Sequence, residues 1–338
     1  NWAPEWSPDG SHVVFASTRH GNYEIYVGNI VAMLNDAAYE PYRVTTNEHM
    51  DVLPQWSPDG ARIAFTSWQG DHKHVWVVDA DGTNLERVTS GPAGTENGLG
   101  TWSPDGTKIA FVSNRGGGYD VYMMDAAGEN GRSGNVERIT DEQAPDHWLW
   151  PDWSPLLSQT PEPVQALACP MEDTAILFSS SSGGADHHIV KVDSDCGTPH
   201  QRLTDYPSGH MDWSPDGTKV AYTKDVGNNF EIFVMDADGS NQTRMTYNDS
   251  HDAQPTWSPD GRYIAFESSR IGSAATWDLH VMRVDIPNNE QNEYPPSALT
   301  RGDAGRNWAP EWSSDGTRIA FASTRHGNYE IYVGNIVA

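Results

Sequence analysis

Trp6-Ser7-Pro8-Asp9-Gly10, followed by Val13-Val14-Phe15-Ala16-Ser17, decides the fold. Pro-Asp-Gly makes a tight turn: Pro presets φ, Asp accepts backbone N–H groups, and Gly takes positive φ. The stretch after it alternates as a half-buried strand does. Outward from here the same unit recurs, with Trp-Ser at Trp6, Trp56, Trp102, Trp153, Trp213, Trp257 and Trp312. The spacings are 50, 46, 51, 60, 44 and 55 residues. Five units read WSPDG, the last reads WSSDG, and the fourth decays to WSPLL at Trp153–Leu157.

Each unit keeps one internal order. After the turn comes a strand such as Ile63-Ala64-Phe65, Ile109-Ala110-Phe111 or Ile264-Ala265-Phe266. A third follows, such as Glu24-Ile25-Tyr26-Val27 or Glu231-Ile232-Phe233-Val234, and then a short fourth, such as Arg43-Val44-Thr45, Arg138-Ile139-Thr140 or Arg244-Met245-Thr246. Four short antiparallel strands per ~40–50 residues predict a β-propeller blade. No helical stripe of useful length competes. The fold class is therefore all-β, one propeller of six or seven four-stranded blades over residues 1–338. Its units begin near 1, 47, 93, 144, 205, 248 and 303.

The order WSPDG, IAF, EIYV, Asp-Gly, Arg-aliphatic-Thr is similar to the TolB-type (WD-like) propeller repeat, and the likeness covers nearly the whole chain. That resemblance implies a repeat found in periplasmic TolB, in tricorn-like and prolyl-oligopeptidase-like proteases, and in secreted bacterial proteins. It implies architecture, since one fold hosts many functions. The extra α/β domain of TolB and the hydrolase domain of the proteases are not legible here.

Residues 307–338 repeat residues 1–32 at 27 of 32 positions. Three arrangements fit. One is a seven-bladed ring whose last blade lacks an outer strand. Another is a six-bladed ring with a redundant end that enters a neighbour's ring, making head-to-tail polymers. The third is a fragment of a longer array. No signal peptide is legible, which reads as a mature form or a fragment.

Composition narrows the partners. With 21 basic and 47 acidic residues the net charge is −26, and only five residues are Lys. This excludes DNA and RNA, whose binding rests on Lys and Arg. No apolar run nears the ~18 residues of a membrane span, so membrane insertion is excluded too. The expected partners are proteins or copies of the chain itself, at the cell surface or outside the cell, with the periplasm as second choice. Cys169 and Cys196 both fall in the fourth unit and are expected to form a disulfide that pins its Pro-rich insertion; two free thiols are the alternative.

Propeller function gathers at the channel mouth. Residues five before each Trp are expected there: Asn1, Asp51, Asn97, Trp148, Ser208, Asp252 and Asn307. Asp51, Asn97, Asp146, Asp252 and Asn307 would suit calcium, which takes six to eight oxygen ligands; capping loops is the bland alternative. His49, His147, His210 and His251 also precede inner strands, but at unequal offsets from the Trp, which argues against a His ring. Asp79–Gly82 and Asp236–Gly239 resemble the start of a calcium loop but lack its remaining ligands, so a plain turn is expected. Arg19/Glu24, Arg115/Asp120, Arg270/Asp278 and Arg325/Glu330 are expected to pair and brace blades. No nucleophile elbow or P-loop is present.

The leading expectation is a non-enzymatic, calcium-stabilised structural or interaction subunit that polymerises through its duplicated ends. The alternatives are a metal-dependent polysaccharide lyase or hydrolase with its site at the channel mouth, and a monomeric TolB-like binding module.

Overall fold

The computed structural model describes residues 2–126, 135–140, 151–155, 174–180, 187–193, 200–205, 208–227, 229–270, 276–285, 296–300, 305–327 and 329–336. Asn1, Asp146, His147, Trp148, Cys169 and Cys196 lie outside them.

Seven antiparallel sheets follow one another along the chain. Blade one is Trp2–Trp6, His12–Ser17, Glu24–Asn29 and Tyr42–Arg43, paired in that order. Six blades have four strands and the seventh has three among the described residues: Asn307–Trp312, Arg318–Ser323 and Glu330–Asn335. Among the described residues each sheet is contiguous in sequence, and no strand is exchanged between the first blade and the last. Among the same residues a short helix, Ile30–Asn35, is the one departure from β structure.

The repeat makes the blade for local reasons. Gly10 of the Pro-Asp-Gly turn sits at φ 69°, and Gly316 of the Ser-Asp-Gly turn at φ 68°, the left-handed region that favours glycine. Ser7 Oγ donates to Asp9 at 2.6 Å, while Asp9 accepts the Ser11 N–H at 3.0 Å. Asp79–Gly82 is a turn too, closed by Gly82 N–H on the Asp79 carbonyl at 2.8 Å.

The outer strand pairs over two residues, and its following Thr takes over from there. Thr45 Oγ1 accepts the Ile25 N–H at 3.0 Å, and Thr89, Thr140, Thr204, Thr246 and Thr300 repeat this in the next five blades. The Arg before it reaches a buried acid on the third strand: Arg43 to Glu24 at 2.9 Å, Arg138 to Asp120 at 2.6 Å and Arg244 to Glu231 at 2.8 Å. The expected bracing pairs are thus rearranged. Arg19 meets Glu40 at 3.2 Å, Arg115 meets Asn97 at 2.7 Å and Arg270 meets Asp252 at 2.6 Å.

The core is a set of seven apolar layers, one per blade interface. Val14, Ile25 and Val44 of blade one meet Trp56, Ile63 and Phe65 of blade two. The seventh layer joins Ala320, Ile331 and Val333 of blade seven to Trp6, Val13, Phe15 and Tyr26 of blade one. This closes the ring at seven blades and decides between six and seven. The near-duplicate ends are neighbours in the ring, so they do not compete for one position.

Candidate functional site

Six inner strands carry one extra residue each. Ala3, Leu53, Leu99, His210, Gln254 and Ala309 all lie three residues before the repeat Trp, and all have φ between 42° and 57°. The inner-strand register slips at each of these places. A left-handed L-residue costs roughly 1–2 kcal/mol, which a fixing contact can offset. At three of the six the preceding blade supplies one. Thr66 Oγ1 accepts the Leu99 N–H at 3.0 Å, Thr223 Oγ1 accepts that of Gln254 at 3.1 Å, and Glu267 Oε1 accepts that of Ala309 at 2.8 Å.

Two of the bulge side chains, His210 and Gln254, face a cavity of about 430 Å³ spanning blades four to seven. Its wall also includes Ser179, His187, Ser208, Asp225, Phe230, Glu267, Trp277 and Arg306. His210 keeps an exposed surface; desolvation first and the neighbouring charge of His187 second lower its pKa. Burial raises Glu267 to about 7, opposed by the Ala309 N–H and by Arg306. The Arg306 guanidinium lies 5.4 Å from the Trp277 ring and 5.9 Å from the Trp308 ring. His251 stands beside the cavity, its Nδ1 accepting the Phe230 N–H at 3.1 Å and its ring 6.1 Å from Trp277. One cavity therefore presents an imidazole, a fixed cation and an aromatic face.

A second ring lies one residue before each Trp: Glu5, Gln55, Thr101, Asp152, Asp212, Thr256 and Glu311. Six of these seven line a central cavity of about 450 Å³. Glu5 accepts the Trp56 N–H at 2.8 Å and Asp212 that of Trp257 at 2.6 Å, so the acids also stitch blade to blade. Burial lifts Glu5 to about 8 and raises Asp152, Asp212 and Glu311. The Glu311 shift has the charges of Asp212, Glu5 and Asp152 as further causes.

The residues expected to hold calcium sit elsewhere. Asp51, Asn97, Asp252 and Asn307 are buried, one each in blades two, three, six and seven. Asp51 accepts from Asn47 at 2.6 Å, and Asn97 accepts from Arg115 at 2.7 Å. Asp252 accepts from Ser268 at 2.5 Å and Arg270 at 2.6 Å, and Asn307 donates to the Trp277 carbonyl at 3.2 Å. Each is engaged with its own blade or the one before it. Among the described residues no group of three or more His, Cys, Asp or Glu side chains is placed to hold a metal ion. Asp146 and the Cys169–Cys196 pair fall outside the described residues. His210, named among the mouth residues, does reach the cavity; Gln254, Glu267 and Arg306 were missed. The signal that finds Gln254, and His210 with it, is the position three before the Trp, where His and Gln replace Ala and Leu; Glu267 and Arg306 carry no such signal.

Comparison with known proteins adds the family. The profile described as TolB beta propeller domain matches residues 1–97, 37–156 and 201–292. The chain belongs to this family. An uncharacterized protein of Agrobacterium fabrum is 34% identical over 135 residues, 40% of this chain and 42% of that one. The Tol-Pal system protein TolB of Alcanivorax borkumensis is 32% identical over 128 residues, 38% of this chain and 26% of that one. This TolB-family chain thus spans less than half the length of these relatives in the matches. Among solved structures, a manganese complex of oligogalacturonate lyase superposes with TM-score 0.71 at 16% identity, covering 98% of this chain and 88% of that one. The acylaminoacyl peptidase of Pyrococcus horikoshii gives 0.61 at 13%, covering 98% and 50%. At such identities the likeness shows the fold alone.

These neighbours correct two expectations. The leading reading of a non-enzymatic, calcium-stabilised structural polymer is overturned, because the similar propellers are those of a lyase, of peptidases and of TolB. The expectation that the chain is not an enzyme falls with it, because enzymes are among the similar proteins, including an uncharacterized peptidase of Bacillus subtilis that is 29% identical over 113 residues. Among the described residues no helix is long and apolar enough to cross a membrane.

Proposed function

We propose that this TolB-family propeller is an enzyme of lyase type that takes an acidic sugar chain in the cavity beneath His210. One observation carries the reading: His210, Arg306 and Trp277 line the same cavity. Arg306 offers the fixed charge that a uronate carboxylate needs. Trp277 offers a flat apolar surface for a sugar ring. His210 offers an imidazole of lowered pKa, the group that serves as a general base when unprotonated. The step that suits this set is β-elimination. A ring nitrogen of His210 removes the proton beside the carboxylate, and Arg306 steadies the charge that develops there. The C–H electron pair becomes a C=C bond, the adjacent glycosidic C–O bond breaks, and the leaving oxygen takes up a proton. The similar lyase was solved with manganese, but the described residues here offer no metal-holding cluster, and no step is assigned to a metal.

The test is the ultraviolet absorbance of the new C=C bond on incubation with oligogalacturonate and polygalacturonate. Activity that falls at least 100-fold in His210→Ala and Arg306→Met, with the fold kept by circular dichroism, supports the reading. No product and no calorimetric binding of either saccharide sinks it.

The family match favours a second reading, a TolB-like module that binds a protein at the same mouth. It predicts capture of a polypeptide and no turnover. Either role suits a location outside the cytoplasm, in the periplasm or beyond it, where an acidic surface with five Lys remains soluble.

A further inference from the structure

We propose that Phe230 and Trp277 form two separate stacking subsites, so that the cavity holds successive units of an extended acidic saccharide rather than a single sugar. This rests on the acidic-sugar reading above and names the residues that sense the length of the chain. In blade one Tyr23 stands just before the third strand, two residues ahead of Ile25, which pairs with Ala16. The same register places Lys73, Tyr119, His187, Phe230, Trp277 and Tyr329 in the other blades. Six of the seven are ring-bearing side chains. The main chain fixes this position beside the start of the next inner strand. The carbonyls of Tyr23, His187 and Trp277 accept the N–H groups of Asp51, Ser208 and Asn307, each at 2.8 Å.

The rings at this position are used in two ways. Tyr23 and Tyr119 pack against apolar layers, and the Tyr119 hydroxyl donates to Glu96 at 2.8 Å. Phe230 and Trp277 line the cavity instead. Among the described residues neither belongs to an apolar layer. Phe230 leaves 43% of its surface exposed. The two rings meet through His251, whose centroid lies 5.2 Å from that of Phe230 and 6.1 Å from that of Trp277. The Phe230 N–H donates to His251 Nδ1 at 3.1 Å, which ties the middle ring to the main chain. The surface is therefore ordered before a ligand arrives, which lowers the entropy lost on binding. The Arg306 guanidinium lies 5.4 Å from the Trp277 ring, so the cation stands at the Trp277 subsite. A sugar ring carries C–H groups on its faces, and a flat aromatic side chain removes them from water. A unit whose carboxylate meets Arg306 lies on Trp277, and a further unit of the same chain reaches Phe230. The chain then runs along the rim from blade six to blade five.

The test is titration calorimetry of the whole chain with digalacturonate and hexagalacturonate. The longer saccharide is expected to bind at least tenfold more tightly. Phe230→Ala keeps the main-chain N–H on His251 and is expected to cut that ratio to about threefold or less. Phe230→Tyr, which keeps the aromatic face, is expected to restore it. Trp277→Ala is expected to weaken both saccharides. In turnover, Phe230→Ala is expected to act through KM for the longer saccharide rather than through kcat. Equal affinity for the two lengths in the wild type overturns the proposal. So does a Phe230→Ala variant that keeps the full ratio, or one that weakens both lengths alike. Each of these results leaves the acidic-sugar reading standing, since digalacturonate still binds; binding of neither saccharide overturns that reading and this inference together.

Discussion

The indole N–H of Trp6 donates to the main-chain carbonyl of Glu311 at 3.0 Å, across 305 positions of sequence. The same bond recurs between consecutive blades: Trp153 to the Thr101 carbonyl and Trp312 to the Thr256 carbonyl, both at 3.2 Å. Blade one therefore treats blade seven as its predecessor. The ring closes by a contact that two other blade pairs also use, whereas the indole N–H groups of Trp56, Trp102, Trp213 and Trp257 have no hydrogen-bond partner, and among the described residues no strand is shared across the seam. Trp6→Phe keeps most of the apolar area and loses the bond, at a cost of about 1 kcal/mol. Trp6→Ala also empties the layer and is expected to cost about 3–5 kcal/mol. Urea denaturation measures both, and a Phe variant as stable as wild type would show that the bond adds nothing.

The channel acids make stability depend on pH. Glu5, Asp152, Asp212 and Glu311 all have raised pKa values in the folded chain, and their ring neighbours Gln55, Thr101 and Thr256 do not titrate. Between an unfolded carboxyl pKa of about 4 and the folded value of about 8 for Glu5, the folded state binds more protons. Stability then falls as pH rises through that window. The melting temperature is expected to be higher at pH 5 than at pH 8. Glu5→Gln, which keeps an acceptor for the Trp56 N–H, is expected to flatten the slope. A wild-type profile that rises toward pH 8 would contradict this.

Glu267 offers a sharper case, since it holds the bulge at Ala309 with a carboxyl raised to about 7 by burial. Glu267→Gln retains the acceptor and removes the buried charge. It is expected to match the wild type near pH 5 and to exceed it in stability near pH 8. Glu267→Ala leaves the Ala309 N–H without its acceptor and is expected to lose about 1–3 kcal/mol at both pH values. Thermal melts of the three proteins at the two pH values decide it.

Thr45 tests the outer strand. Its hydroxyl accepts the Ile25 N–H and donates to Glu24. Thr45→Val has nearly the same shape and leaves both groups a partner short in a buried place, at an expected cost of about 2–3 kcal/mol. Thr45→Ser keeps the hydroxyl and is expected to stay within about 1 kcal/mol of wild type. A Val variant as stable as the Ser variant would remove the hydroxyl from the account.

The blades were legible because each is written locally: Pro-Asp-Gly turn, alternating strand, Arg-aliphatic-Thr ending. Their number was not legible. Residues 1–32 and 307–338 have equal claims to one position until Trp6 is seen against Glu311. The site was misplaced for a related reason. With a strict period of two, residues one, three and five before the Trp share a face. The bulge inserts one residue and reverses the faces beyond it. Asp51, Asn97, Asp252 and Asn307 therefore turn into their blades, while Glu5 and Asp212 face the channel. A bulge formed by Leu53, Leu99 or Ala309 has no Gly to announce it. Capture by a side chain of the blade before, such as Thr66 on Leu99, offsets the cost of the left-handed backbone.

That capture is made through main-chain N–H groups, so it is indifferent to which side chain the bulge carries. Ala, Leu, His and Gln all occupy it in this one chain. Six blades thus carry one interchangeable letter at the rim, uncoupled from the Trp layers that keep the ring standing. Reading and rewriting those letters changes what the mouth recognises while the folding instructions stay fixed, and new chemistry can be acquired one blade at a time.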